Sequence, residues 1–384
     1  MATEKLFYAD CHMQRFSASV ISCEERPQGF AVVLDRTAFY PEGGGQACDT
    51  GALDQIRVLA VQEEADEVIH ICDGALTPGQ EVEGIIDYDR RFDLMQQHTG
   101  EHILSGVIHR RYGFHNAGFH VGQQVMEVDF DGVIPTEELT QLELEANRAV
   151  WQNLPVKATV PPEAELAALP YRTKKALPWP VRIVEISGVD SCACCGVHTA
   201  NTGEVGLIKI LSCVKFRQGV RLELVCGGRA WNYVNQAWEQ NREISRLLSA
   251  KMPETAVAVK KLSDQLGQER FRFASTQRQL FGYIAEAYGG KGNVVHFEDD
   301  LSGAQLRQLA EAIAGQCGGV AAVLSGEKGS FHVCLACPGG DVNDLGKAMA
   351  EALNGRGGGK TGFYQGTLQA DREEIEDFFN RQFS

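Results

Sequence analysis

Two histidines four residues apart, His98 and His102, are matched far downstream by a Cys-x-x-x-His pair, Cys194 and His198. If all four hold one ion, the chain must fold so that two distant segments meet, and no other feature constrains its topology as strongly. The first pair lies in DRRFDLMQQHTGEHILSGVIHRRYG, where Leu94, Ile103, Leu104 and Val107 recur at helical spacing. Positions i and i+4 share a helix face, so both imidazoles can reach one ion. The second pair sits in SCACCGVHTANTGEVG, a glycine-bearing turn segment between apolar runs. One thiolate and three imidazoles suit a borderline-soft tetrahedral ion, and zinc is the expected cofactor. Four protein ligands close a tetrahedral shell, whereas catalysis needs an exchangeable position, and the spacing leaves both roles open. The same helix reads His98-Thr-Gly-Glu101-His102, the H-x-x-E-H of inverted zinc peptidases, in which Glu101 would be the general base. Such sites normally take a third carboxylate ligand, where this chain offers a Cys/His pair.

With 384 residues the chain can hold two or three domains, each with its own core. No apolar run is long enough to cross a bilayer and no signal-peptide core stands near the start, so a cytoplasmic protein without a membrane partner is expected. Its 12 cysteines lack the framework of a small disulfide-bonded domain, which favours reduced thiols with one or two committed to metal. A net charge of −15 argues against indiscriminate coating of nucleic acid. Residues 209–278, however, carry 13 Lys or Arg against 6 Asp or Glu, so this stretch is +7 and the rest −22. A basic middle on an acidic protein fits selective contact with a polyanion through residues such as Lys215, Arg217 and Arg221; a solvated helix surface is the alternative.

The patterning predicts a multidomain α+β protein. Residues 1–90 alternate like short strands around the cluster Gly43-Gly44-Gly45 and read as a small β-barrel or sandwich; the glycines could approach a ligand, with a hairpin turn as the default. Residues 91–232 combine the histidine helix, a second helix near PTEELTQLELEANRAVWQN and several strands into an α+β metal-binding core. Residues 233–285 read as a helical arm broken at Met252-Pro253, serving as spacer or dimer contact. Residues 286–384 alternate strands and helices as an α/β domain, ending in a glycine loop, Gly355 to Gly362, whose Arg356 and Lys360 could approach phosphates.

Other features have plain readings. Cys192 and Cys195 flank the proposed ligand and could exchange with it, although packed or exposed thiols are the plainer reading. Cys334 and Cys337 form a lone C-x-x-C in an apolar run and read as buried small residues. His109, His115 and His120 could line a pocket near the ion, although each singly reads as a surface or hydrogen-bonded histidine.

Four colinear segments together resemble the alanyl-tRNA editing proteins, the AlaX family, free-standing relatives of the editing domain of alanyl-tRNA synthetase. Thr37-Ala-Phe39-Tyr40-Pro-Glu42-Gly-Gly-Gly-Gln46 with Asp49-Thr-Gly51 is similar to the family's N-terminal barrel signature. His98-Thr-Gly-Glu101-His102 occupies the place of its H-x-x-x-H, and Cys194-Cys195-Gly196-Val197-His198 with Asn201-Thr202-Gly203-Glu204-Val205-Gly206 that of its C-x-x-x-H and trailing T-G-x-x-G. Gly357-Gly358-Gly359-Lys360-Thr-Gly-Phe-Tyr-Gln365-Gly366 is similar to the glycine loop of the synthetase's C-terminal domain. The resemblance implies zinc on His98, His102, Cys194 and His198. It also implies hydrolysis of seryl- and glycyl-tRNA(Ala), and tRNA contacts at Lys215, Arg217, Arg221, Arg356 and Lys360. His98, Glu101 and His102 are then the catalytic candidates, and Asn116, Gly118, His120 and Gly196 the substrate-binding ones. Family members commonly place a Thr or Gln where this chain has Gly118, and a glycine where it has Cys195. The arm could support a homodimer, with a monomer carrying an intramolecular hairpin as the alternative. The competing classes are a tRNA-binding module with a structural zinc and the H-x-x-E-H peptidase.

Overall fold

In the computed structural model, which describes residues 2–173, 177–327 and 329–384, the first strands alternate buried and exposed side chains. In Arg15–Arg26, Phe16, Ala18 and Val20 are buried while Arg15 and Ser17 are exposed. This period of two gives one apolar face, and six strands bury it by closing on themselves. Around the barrel, Arg15–Arg26 is followed by Gly29–Leu34, Glu67–Cys72, Ile56–Glu64, Gly51–Leu53 and Glu81–Ile86. The last strand pairs back onto the first, so no edge is left unpaired. Val32, Leu34, Val61, Val68 and Ile86 fill the interior.

The histidine helix, Tyr88–Tyr112, follows directly, capped by Asp87 accepting from the Arg90 N–H and ended by Gly113 in the left-handed conformation. Its sequence suggests one apolar face, yet every residue from Gln97 to Ile108 is buried. Leu94, Ile103, Leu104, Val107 and Ile108 pack with Val128, Leu222 and Leu224 of a four-stranded antiparallel sheet and with Leu142, Ala146 and Val150 of helix Leu139–Trp151. The sheet order is Ile208–Phe216, Gly219–Cys226, Met126–Phe130, Asn116–Val121. A helix surrounded by protein must satisfy its polar side chains internally. Gln97 does so by donating to the Cys226 carbonyl (2.9 Å) and accepting the Cys226 N–H (2.8 Å). The close approach needs Gly100, where a Cβ would lie 2.2 Å from Cys226 Sγ. A three-stranded sheet, Val156–Thr159, Ile183–Ile186 and Asp190–Ala193, leads into the segment bearing Cys194.

Contacts divide the chain into two compact units, Met1–Glu243 and Ile244–Ser384, with the boundary inside helix Gly227–Leu248. The arm is thus that helix and Thr255–Glu286, interrupted at Met252–Glu254 where the sequence places Met252-Pro253. In the second unit a five-stranded sheet runs Gly292–Phe297, Gly318–Glu327, Ser330–Ala336, Phe363–Leu368, Arg356–Lys360. The expected glycine loop is a correction: Arg356–Lys360 is an edge strand, paired antiparallel from Arg356 opposite Thr367 to Lys360 opposite Phe363. Its ladder is made by backbone, so the absence of apolar side chains does not prevent it.

Candidate metal centre

The two distant pairs converge. Ligand atoms of His98, His102, Cys194 and His198 all lie within 4.8 Å of one another. Cys194 Sγ is 3.4 Å from His98 Nε2 and 3.4 Å from His198 Nε2. Nitrogen and sulfur ligands on a tetrahedral zinc stand about 3.5 Å apart, given the usual metal–ligand lengths. The donor set and its spacing therefore fit zinc.

Each imidazole is oriented by a partner on its other nitrogen. His98 Nδ1–H donates to Gln46 Oε1 (2.8 Å), which also accepts the Val197 N–H (3.2 Å). His102 Nδ1–H donates to Asp190 Oδ2 (2.9 Å), and His198 Nδ1 lies 3.3 Å from Thr99 Oγ1. All three Nε2 atoms are thereby left for the ion, the arrangement that fixes tautomer and ring direction in metal sites. Asp190 is itself gripped by Arg172, through Nε at 2.7 Å and Nη2 at 2.9 Å. Gly196 is required by packing: a Cβ there would meet His98 Cε1 at 2.1 Å.

The electrostatics favour the ligand-ready forms at sulfur. Burial alone would raise the Cys194 thiol, but the surrounding His98, His102 and His198 hold it well below its ordinary range. Burial, with His98 beside it, depresses His198 to about 3, so that imidazole is neutral. Burial also opposes charge on His102, yet the bonds to Asp190 and Cys194 raise it well above the usual histidine value. Asp190, against its own burial, is held to about 2 by His102 and Arg172.

His98, His102 and Cys194 also line a cavity of about 760 Å³. Glu101, Asn116, His115, Phe119, Gly44 and Gly45 form more of its wall, and Lys5, Tyr8 and Arg182 are also on it. The glycine cluster serves both readings: Gly43 and Gln46 exchange backbone bonds in a tight turn, and its next two residues face the cavity. Of the substrate candidates, Asn116 lines the cavity, whereas Gly118, His120 and Gly196 are not among its lining residues. Gly118 is instead close to Asp129, 2.9 Å from Oδ2 to where a Cβ would stand. Cys192 is buried on the cavity wall and burial pushes its thiol up to about 11. Cys195 is exposed. Cys334 is buried and its thiol raised to about 12 by burial, while Cys337 is half-buried.

None of the tRNA candidates is among the residues lining the cavity. Lys215 and Arg217 are exposed at the turn end of a hairpin of the first unit. Arg221 is tied to Asp129 (2.6 Å) and Glu127 (2.7 Å). Lys209 and Arg229 of the basic stretch are also paired with acids outside it, Glu143 and Asp93, which spends part of its excess charge. Arg356 and Lys360 are exposed on the edge strand of the second unit. No helix among the described residues is long and apolar enough to cross a membrane. Sequence reasoning missed Gln46, Thr99, Asp190 and Arg172. Gln46 ends the quoted glycine segment and Thr99 follows His98, but Asp190 and Arg172 carry no local signal because they meet His102 only in the fold.

Comparison with known proteins gives a consistent picture. Residues 2–90 match the family described as tRNA synthetases class II (A), residues 181–222 the threonyl and alanyl tRNA synthetase second additional domain, and residues 289–384 the DHHA1 domain. The chain is 30% identical to an alanyl-tRNA editing protein of Mus musculus, covering 97% of each chain. It is 29% identical to that of Danio rerio over 96% of this chain and 95% of the relative. An alanine–tRNA ligase of Ignicoccus hospitalis is 33% identical over 93% of this chain and 40% of its own length.

Proposed function

This chain belongs to the alanyl-tRNA editing proteins, and from that premise we propose that it is a zinc-dependent deacylase of mischarged tRNA(Ala), acting on seryl and glycyl esters in the cytoplasm. One observation carries the catalytic reading over a structural zinc. A structural ion is enclosed by its ligands and the core, whereas His98, His102 and Cys194 form part of the wall of an open cavity large enough for an aminoacylated nucleoside. The peptidase reading has only the H-x-x-E-H spacing behind it.

His98, His102, Cys194 and His198 would hold the zinc, which when bound would supply positive charge beside the ester, a role that does not require a vacant ligand position. The remaining work falls to the chain. Gln46, Asp190 and Thr99 keep the imidazoles in place. Phe119, stacked on His98 with ring centroids 5.0 Å apart, gives the cavity an apolar side. Lys5, Tyr8 and Arg182 line the same cavity. Tyr8 donates to the Cys195 carbonyl and Arg182 to those of Cys194 and Gly196, so they brace the ligand loop. The charge of Arg182 also faces the side from which the tRNA terminus would enter. In the reaction, water oxygen bonds to the acyl carbon, the ester C–O bond breaks, and the ribose oxygen leaves with a proton. The ester is already reactive, so positioning can supply much of the acceleration. Glu101 is the carboxylate on the cavity wall beside the ligands, placed either to take the water's proton or to hold a substrate cation.

Lys215, Arg217, Arg356 and Lys360 are the proposed tRNA contacts, with Arg221 buttressed by acids instead of free. The arm carries exposed Trp231, Trp238, Leu262, Leu266 and Phe273, and we assign it a second copy of the chain as partner. Sedimentation of dilute protein as a monomer would refute that assignment. The function itself is tested by incubating the protein with seryl-, glycyl- and alanyl-tRNA(Ala). Loss of the first two esters with the alanyl ester spared is the expected outcome, and tight tRNA binding without any loss would favour a binding module.

A further inference from the structure

Glu101 is only 5% exposed and its two oxygens face different surroundings. Oε1 accepts from Ser105 Oγ–H (2.6 Å) and from the Asn116 amide N–H, so the carboxylate is pinned in one orientation. Oε2 makes no hydrogen bond among the described residues. Its charged neighbour is His102 Nε2 at 3.9 Å, and that is the atom offered to the metal. Arg172, the other cation nearby, is committed to Asp190. Asn116 is 6% exposed; with its N–H group on Glu101, its Oδ1 is left buried without a partner. The amide cannot turn round, because its oxygen would then face a carboxylate oxygen.

Next to the ligand cluster, the cavity wall therefore carries a carboxylate oxygen, Glu101 Oε2, with no donor among the described residues, and the amide that holds the other carboxylate oxygen has a buried Oδ1 that lacks one as well. A buried carboxylate oxygen without a hydrogen-bond donor is unfavourable even with a cation nearby, and so is an unpaired amide oxygen. Of the groups on an aminoacyl ester, the α-ammonium alone brings both positive charge and several N–H donors. We propose that Glu101 and Asn116 form the receptor for the substrate's α-ammonium group, so that the site selects esters with a free amino group and rejects N-acylated ones. This rests on the deacylase reading. It gives seryl and glycyl esters a common handle, since both carry the same ammonium, and it leaves the cavity's remaining wall to sort side chains.

The test compares seryl-tRNA(Ala) with the same tRNA carrying a glyceroyl ester, in which a hydroxyl replaces the amine. Both are offered to the full-length protein and to Glu101→Gln, a near-isosteric change that keeps an acceptor for Ser105 and Asn116 and neutralises only the cavity-facing end. The readout is the ratio of kcat/KM for amino ester over hydroxy ester. Intrinsic reactivity cancels when the ratios of the two proteins are compared, and loss of a general base lowers both rates alike. The proposal predicts that Glu101→Gln lowers the ratio by about tenfold or more, the scale of a charge-assisted hydrogen bond. Asn116→Ala, which removes the second acceptor, should lower it in the same direction. An equal ratio in parent and Glu101→Gln overturns the proposal even if both rates fall. If the parent cleaves neither ester, the deacylase reading fails and this proposal with it.

Discussion

Replacing Asp190 by Asn alters one bond to a ligand while leaving every ligand in place. Asp190 Oδ2 accepts from His102 Nδ1–H at 2.9 Å, and the two side chains are 1% and 3% exposed, so water screens the pair very little. In Asp190→Asn the amide oxygen can still accept that proton, but the negative charge is gone. A hydrogen bond to a charged group contributes about 1.5–3 kcal/mol and a neutral one about 0.5–1.5 kcal/mol. The difference, about 1–2 kcal/mol, corresponds to a loss of about 5- to 30-fold in zinc affinity, overlapping the roughly 10- to 100-fold range found for outer partners of metal ligands. Stability should fall as well, because the Arg172 guanidinium loses its buried counter-ion. Arg172→Met separates the two effects: it removes the ion pair yet keeps the His102–Asp190 bond, and should leave zinc affinity undiminished. Competition between each apo-protein and a chromophoric zinc chelator measures the affinities. The reasoning is refuted if Asp190→Asn binds zinc as tightly as the parent, or if Arg172→Met weakens it equally.

Further outcomes follow from the same contacts. Gly196→Ala should abolish stoichiometric zinc binding, since the new Cβ displaces the His98 ring; metal analysis of the purified variant checks it. Arg91 and Asp49, both fully buried, join the histidine helix to the barrel region. Asp49→Ala should therefore cost about 3–5 kcal/mol in urea unfolding, whereas replacing both by apolar residues should cost much less. His70, buried in the barrel with its Nδ1–H on the Val32 carbonyl (3.0 Å), is depressed by burial to about 4. Because its folded value lies below the ordinary 6.5, the folded state takes up fewer protons between those values. Stability is then complete above pH 6.5 and falls as pH drops toward 4, by about 3 kcal/mol in all. Against His70→Gln, the parent should lose more stability between pH 7 and 4.5; parallel losses would show that His70 is not responsible.

Much of the centre was legible because its signals are local. His98 and His102 are one helical turn apart, and Cys194 and His198 keep their spacing in a loop, so the ligand set needed no knowledge of the fold. The barrel was legible through the alternation of Phe16, Ala18 and Val20 with polar residues. What escaped depends on distant contacts or on backbone alone. Asp190 and Arg172 acquire meaning only when their strands meet the histidine helix. Gly118 and Gly196 read as substrate contacts from their place beside the motifs, yet one lies against Asp129 and the other against His98. The glycines after Arg356 read as a loop because no side chain announces a strand, while the pairing with Phe363–Leu368 is made by peptide groups. The histidine helix hid its full burial, since its inward polar residues are satisfied by partners such as the Cys226 backbone.

The central claim is that the four-ligand centre is catalytic, and one titration addresses it directly. Zinc is added stepwise to metal-free protein while loss of the ester from seryl-tRNA(Ala) is followed. The account predicts activity that rises in proportion to zinc, levels off at one equivalent per chain, and is absent in His98→Ala at every step. Full activity in the metal-free protein, or saturation of the site with zinc without any hydrolysis, would contradict it.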